Sequence, residues 1–397
     1  MKVGGKADGD AFFNRTRERT ALWRILENDH ITISGPRRLG KTSLLQKLAD
    51  EAEDKGWIAA LVDVEGLGTP KAFFEALDRH FPDVTLSATL QRGGEAIRRR
   101  LTGLQKVSFQ LPGGLGGAGL EFQDTKEQSW IQDARTLQHR LAPQPLLILV
   151  DELSVFLETL LTQAPAEAPG FLAFLRAWRQ QSDVNCRFVF CGSIGLNALL
   201  ERHRLGTLFN DCYDFRLDPF LPADATAMLT ELLRRERWTA DPACLAHLCH
   251  RIGWLSPFYL NLLLMDAMTV AEERVSETRA PERILIPSDI DDAYDRLLLT
   301  RSRFIHWVDR LKRDLDVPSC DFAMATLNAI AKSGDGLTKR TLLARLQKRE
   351  SDPDRRAERL ETILLKLEED GYIDSQGEKI QFLSFLLRDY WKKNHAR

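Results

Sequence analysis

Eight residues near the start of the chain, Gly35 to Thr42, read GPRRLGKT, and the spacing GxxxxGKT gives a physical role to each fixed position. Gly35 and Gly40 allow a backbone path that a side chain would block, so successive N–H groups can face phosphate oxygens at the positive end of the following helix. Lys41 is placed to reach β- and γ-phosphates, and the Thr42 hydroxyl to bind magnesium. Pro36, Arg37, Arg38 and Leu39 fill the loop, and Ser43 follows it, completing the expected nucleotide contacts. A chance strand–turn–helix junction could carry the same letters, but the match lies between a real strand pattern and a real helix pattern.

A second cluster is LLILVDE at Leu146 to Glu152. Asp151 ends an apolar strand, where a magnesium ligand is needed at the carboxyl edge of a sheet. Glu152 can orient and deprotonate an attacking water, work that a magnesium-bound aspartate cannot share. Ser193, after RFVFCG, stands where a polar group could touch a γ-phosphate or the water, though a helix cap before IGLNALL explains it nearly as well. Asp63 and Glu65 end another strand and are as well read as solvated turn residues. Arg37, Arg38, Arg202 and Arg204 are candidates for an arginine that stabilises charge in transit, with ordinary surface arginine the simpler account of Arg202 and Arg204. Cys244, His247, Cys249 and His250 crowd into ACLAHLCH, yet they do not share one helix face, so core packing accounts for them better than zinc.

These residues must be positioned by a regular scaffold, and the pattern supplies one. Helical ALWRILEN precedes a β-branched strand at His30–Ser34 that ends at Gly35, and a helix follows the loop. Further strands are expected at Trp57–Val64, Pro145–Val150 and Cys186–Cys191, separated by helical KAFFEALDRHF and FLAFLRAWRQQ. Such alternation predicts an α/β parallel sheet covered on both faces. Gly114, Gly116 and Gly119 satisfy GxGxxG, but the residues after them alternate like a strand, so a β-hairpin insertion at about 103–130 fits better than a dinucleotide fingerprint. Helical patterns take over from Ala223 to about Val270. A charged, proline-bearing stretch, SETRAPERILIPS, reads as a linker. From Cys320 onward three short helices and a two-stranded hairpin spell a winged helix-turn-helix.

The domain layout expected is an entry segment at 1–28, a core at 29–220, a helical lid at 221–275, a linker and helix at 276–317, and a winged helix at 318–397. A chain of 397 residues exceeds what one core organises. The apolar share of 44% is globular, and the formal net charge of −2 creates no global field toward nucleic acid or membrane. No apolar run suits a membrane span, and MKVGGKADGDAFF lacks a secretory pattern. Six scattered cysteines suit a reducing compartment, and the expected location is cytoplasmic.

With these motifs in place the chain resembles the bacterial and archaeal P-loop ATPases of the AAA+/STAND type that carry GPRRxGKTSL loops and are related to origin-recognition-type ATPases. The resemblance runs nearly end to end. It implies an ASCE/AAA+-like P-loop NTPase core, a helical lid and a C-terminal winged helix. Phe12-Phe13-Asn14-Arg15 matches the family's entry motif near the adenine, and Gly253-Trp-Leu-Ser-Pro257 followed by Phe-Tyr-Leu matches the lid motif whose proline packs by the base. Leu386-Leu-Arg-Asp-Tyr390 matches the closing helix. Two departures stand out: no clear arginine occupies the lid position that many relatives use to sense nucleotide, and no effector domain is fused. The resemblance implies an Mg2+-dependent ATPase, cycling between ATP and ADP, whose nucleotide state moves the lid and the winged helix. The expected partners are a partner protein or further copies of the chain and no membrane; the winged helix is open to duplex DNA and to protein alike, because its third helix mixes Arg355, Arg356, Arg359 and Lys366 with Glu358, Glu361, Glu368, Glu369 and Asp370. The alternative is a non-hydrolysing, nucleotide-bound scaffold or transcription regulator.

Overall fold

Strands form where β-branched and apolar residues run together, and most helices from Pro222 onward begin on a proline or a polar cap. The computed structural model describes residues 15–81, 129–181, 185–192, 196–278, 283–375 and 377–396. Helix α1 (Thr16–Leu26) leads into β1 (His30–Ser34), and α2 (Lys41–Glu51) starts at the last lysine of the GPRRLGKT loop. Next come β2 (Ile58–Asp63) and α3 (Pro70–Asp78), the latter capped by the Thr69 hydroxyl, which accepts from Ala72 N at 3.2 Å. Helix α4 (Ser129–Leu141) then precedes β3 (Leu146–Asp151), α5 (Leu153–Gln163), α6 (Glu167–Arg179), β4 (Cys186–Cys191) and α7 (Leu196–Arg202).

A fifth strand, β5 (Cys212–Arg216), was not among the four read from the sequence. CYDFR carries two charges and is largely exposed, so its strand character comes from parallel pairing to β1, from His30 against Cys212 to Ser34 against Arg216, rather than from its own pattern. The strand order is β2-β3-β4-β1-β5. All six residues of β3 are buried, as expected of a strand covered on both faces.

The following segment is mainly helical: α8 (Pro222–Arg235), β6 (Thr239–Ala240), α9 (Pro242–Ile252), α10 (Pro257–Thr278), β7 (Ile284–Leu285) and α11 (Pro287–Leu297). Here too the structure departs from expectation. Ile284–Leu285, inside the stretch read as a linker, pairs in parallel with Thr239–Ala240. Then come α12 (Ile305–Asp314), α13 (Val317–Ser333), α14 (Lys339–Arg345), α15 (Pro353–Glu369), β8 (Ile373–Asp374), β9 (Gln381–Phe382) and α16 (Phe385–Asn394). Side-chain oxygens of Asp316, Thr338, Asp352 and Ser384 cap the starts of α13 to α16, and β8 and β9 pair antiparallel.

The chain divides into two compact units, one made of Met1–Leu48, Cys191–Arg204 and Cys212–Arg397, the other of Ala49–Phe190 and Leu205–Asp211. The second is filled by an aromatic cluster in which Phe171 meets Phe73, Phe74, Trp130 and Phe156 at ring-centre distances of 5.0 to 6.3 Å. In the first, a line of rings runs Tyr259, Trp307, Tyr372, Trp391 at 6.4, 4.7 and 6.0 Å. It fixes α12, the turn before β8 and α16 against α10. Among the described residues no helix is long and apolar enough to cross a membrane. The expected glycine-rich hairpin, Asn14 and Ser193 lie outside the described residues.

Candidate functional site

The phosphate-loop candidate follows β1 directly. Gly35 has φ of +136°, and a Cβ there would sit 2.6 Å from the Leu217 carbonyl oxygen, so the chain has room for no other residue. Lys41 is buried, and its ammonium donates to the carbonyls of Gly35 at 2.6 Å and Pro36 at 3.0 Å. The lysine thus closes the loop on itself and holds a charge at its centre. The Gly40 carbonyl accepts from Leu44 N at 2.9 Å, starting the α2 ladder. Thr42 and Ser43 lie in the first turn of that helix, where the N–H groups of a helix start and the helix dipole favour an anion.

Three other side chains hold the loop from outside. Arg15, only 4% exposed, donates to the Leu39 carbonyl at 3.1 Å and the Asp218 carbonyl at 2.7 Å, and lies over the Phe220 ring at 4.4 Å. Arg38 has φ of +72°. Its carbonyl accepts from the buried Ser256 hydroxyl at 2.6 Å, and its guanidinium stands 4.2 Å over the Phe258 ring. Burial lowers the Arg38 pKa, the charge of Arg310 adding to the effect while Tyr259 opposes it. Arg37 Nε is 3.6 Å from the carboxylate of Asp370. Pro257, a sequence candidate, begins α10 between Ser256 and Phe258. It is the neighbours of Pro257 that touch the loop.

Asp151 and Glu152 stand at the carboxyl end of β3, in the other unit. Asp151 is 3% exposed, lies in register with Asp63 of β2, and accepts from Glu152 N at 3.1 Å. Glu152 caps α5 through its backbone with φ of +58° and no side-chain cap bond. A left-handed glutamate is strained by about 1–2 kcal/mol. The hydroxyl of Thr42 and the carboxylate of Asp151 are hard oxygen donors suited to magnesium.

Other sequence candidates sort themselves. Asp63 and Glu65 are exposed, and Asp63 accepts from Glu65 N at 3.1 Å, which makes them turn residues. Arg202 and Arg204 are exposed around the end of α7. His247 bonds to Asp291 at 3.0 Å, Cys244 is buried, and the described residues hold no group of three or more that could bind a metal ion. Two residues of the loop's surroundings escaped the sequence reading. Ser256 lay inside a noted motif, but only its proline was singled out. Asp370, which follows Glu368 and Glu369 at the end of α15, is 0% exposed. Lys366 of the same helix is 15% exposed and paired with Asp314 and Asp370 at 3.7 and 3.3 Å.

Residues 26–200 match the family model described as an AAA domain. Among solved structures, a Walker-type ATPase of Pyrococcus abyssi is similar at a TM-score of 0.65 and 14% identity, over 98% of this chain and 99% of that one. The ORC2 protein of Aeropyrum pernix, solved as ADPNP–ADP complexes, is similar at 0.55 and 14%, over 97% and 94%. No curated protein matches the chain. At such identities the likeness carries the fold: a P-loop NTPase fold with a helical C-terminal region, its AAA-type domain lying in residues 26–200.

Proposed function

We propose that the chain is an Mg2+-dependent ATPase of the AAA+/STAND type that works as a switch, nucleotide state setting the position of the helical lid and of a C-terminal winged helix. The observation that carries this reading is the loop itself: Lys41 seated on the Gly35 and Pro36 carbonyls at the N-terminus of α2. A lysine held there is ready to meet the β- and γ-phosphates.

In this reading Gly35 to Ser43 receive the phosphates and Asn14, Arg15 and Pro257 flank the base. Thr42 and Asp151 would hold magnesium, which supplies charge neutralisation at the β- and γ-oxygens. Glu152 takes the proton of the attacking water, Ser193 contacts the γ-phosphate, and ATP and water become ADP and phosphate. Arg202 or Arg204 serves a neighbouring copy's nucleotide if the protein oligomerises. The lid is the segment from α8 to α10, and the winged helix is α13 to α16 with the β8–β9 hairpin. The cationic side of α15 argues for a protein partner over duplex DNA: Arg356 donates to the Glu350 carbonyl at 2.7 Å, Arg359 lies 5.2 Å from the Phe322 ring, and Lys366 is paired. Groups so engaged add little to phosphate binding.

The test is ATP hydrolysis by the wild type and Glu152→Gln, each with and without duplex DNA, followed by sizing in ATP. The expected result is wild-type turnover that the variant loses while still binding ATP. Binding without turnover in both proteins would replace the switch by a nucleotide-bound scaffold or regulator, and DNA stimulation would reverse the choice of partner.

A further inference from the structure

Apolar side chains left in water carry meaning when they gather inside a field of one sign. Leu299, in the turn after α11, is 67% exposed, and Ile305, the first residue of α12, is 53% exposed. Helix α12 buries Trp307, Val308 and Leu311. Its outward side runs from Ile305 to Lys312, a spacing of seven that returns to the same face, with Asp309 between them. Arg301 stands in the turn between Leu299 and Ile305. Neither Arg301 nor Lys312 has a carboxylate partner among the described residues, whereas Arg303 pairs with Asp266 at 3.3 Å and Arg313 with Asp314 at 2.9 Å. Burial first, then the charges of Arg301 and Lys312, lower the pKa of His395. Both cations therefore bear on one place, the end of α16, where Lys392 and Lys393 are also exposed.

Helix α15 presents the opposite sign. It buries Leu360, Ile363, Leu364 and Leu367. Glu358, Glu361, Thr362 and Leu365, spaced by threes and fours, share its exposed side, and Leu365 is 47% exposed. Glu361 pairs with Lys339, and Arg355 lies at the margin of this side. The seam between the two helices is made elsewhere, by Arg310 with Asp370 at 4.0 Å and Asp314 with Lys366 at 3.7 Å. On each helix the exposed side is turned away from that seam. The two patches of one molecule look in different directions and cannot meet each other. Those of two molecules can.

We propose that the C-terminal segment is a head-to-tail docking surface for a second copy of this chain, the Glu358–Glu361–Leu365 side of α15 seating on the Leu299–Arg301–Ile305–Lys312 patch of the next molecule. The contact buries Leu365 against Leu299 and Ile305 and rings them with opposed charges, an apolar centre inside a polar rim. Because the two patches differ, the contact is heterologous and repeats into a ring or a filament instead of stopping at a two-fold dimer. It needs no nucleotide, and it is separate from any contact in which Arg202 or Arg204 serves a neighbour's ATP.

The experiment is sedimentation velocity of the full chain without nucleotide, across the micromolar range and at low and high salt. Wild-type particles should grow with concentration and shrink as salt screens the rim. Arg301→Glu with Lys312→Glu, and separately Glu358→Lys with Glu361→Lys, should each weaken association at least about tenfold, since like charges then face each other. Mixing the two variants should restore it, because the patch left native on each matches the patch left native on the other. Leu365→Ser should weaken association with no change of charge, and melting curves confirm that every variant is folded. A wild type that stays monomeric, a reversal that assembles as the wild type does, or a mixture that stays apart would overturn the proposal. None of these outcomes touches the ATPase reading, which Glu152→Gln tests by turnover.

Discussion

At the phosphate loop, side chains drawn from far along the sequence hold a short stretch of backbone: Arg15 on Leu39, Ser256 on Arg38, and Lys41 on Gly35 and Pro36. At the end of β3 it is the strand itself, six buried residues ending in Asp151, that delivers Asp151 and Glu152. The difference follows from what each place must present. A strand end offers side chains, which the sheet aims by its register. A loop offers N–H groups, whose direction depends on every φ and ψ, so it has to be tied from several sides. Damage should therefore differ in kind: loss of chemistry with the fold intact at β3, and loss of both together at the loop.

The sharpest test of that contrast lies at Glu152. Glu152→Gln should lower turnover by about 10²–10⁴-fold, the usual worth of a general base, with melting temperature unchanged. Glu152→Gly should be equally inactive yet no less stable, since glycine relieves a left-handed strain of about 1–2 kcal/mol at φ of +58°. A marked fall in the melting temperature of either variant would show that β3 is not self-sufficient. The loop should respond oppositely. Gly35→Ala drives a Cβ to 2.6 Å from the Leu217 carbonyl, and strain of about 1–3 kcal/mol is expected from the backbone alone. Chemical denaturation and nucleotide titration should both record the damage; a stable variant that binds nucleotide normally would contradict the packing described.

Both places were legible in the sequence. LLILVDE announces an apolar strand ending in carboxylates, and GPRRLGKT between strand and helix announces the loop, because both are local patterns. What ties the loop was not legible, since Ser256 and Asp370 lie hundreds of residues away and nothing in a single sequence reports which helix end folds back on it. Asp370 follows Glu368 and Glu369 on a mixed-charge helix, and nothing in that local pattern marks one of the three acids as buried. Strand β5 was missed for a related reason: CYDFR has no strand period, and only its pairing with β1 makes it one. The entry and γ-phosphate candidates Asn14 and Ser193 lie outside the described residues, so the comparison bears on Arg15 and Pro257 alone.

A milder probe of the tied loop is Ser256→Ala. Ser256 is 0% exposed and donates to the Arg38 carbonyl at 2.6 Å. Its loss leaves a buried acceptor unmet, at a cost of about 1 kcal/mol. Because the lost bond fixes the backbone of the loop, nucleotide affinity should fall along with stability. If stability falls and affinity does not, Ser256 supports the lid and not the loop.

The smallest effect expected is one of pH, and it lies on the side of the loop where Arg38 points. His306 packs near Phe258 and Trp307, with ring centres 6.3 and 5.7 Å away, and its Nε2 is buried with no hydrogen-bond partner among the described residues. Burial first, then the charges of Arg38 and Arg310, push its pKa from 6.5 down to about 4. The folded protein therefore keeps this imidazole neutral while the unfolded chain takes up a proton below 6.5, so the unfolded state binds more protons and stability rises with pH in that window. The contribution is complete above 6.5 and is lost as pH falls toward about 4. Burial also lowers His80 and His395, so His306→Gln should remove only part of the acid limb. Melting curves of the variant and wild type, taken from about pH 7 to about pH 4, should converge as acid is added. A gap that stays constant would mean that the imidazole takes up its proton in the folded protein as readily as in the unfolded chain, so that neither its burial nor the charges of Arg38 and Arg310 holds it neutral.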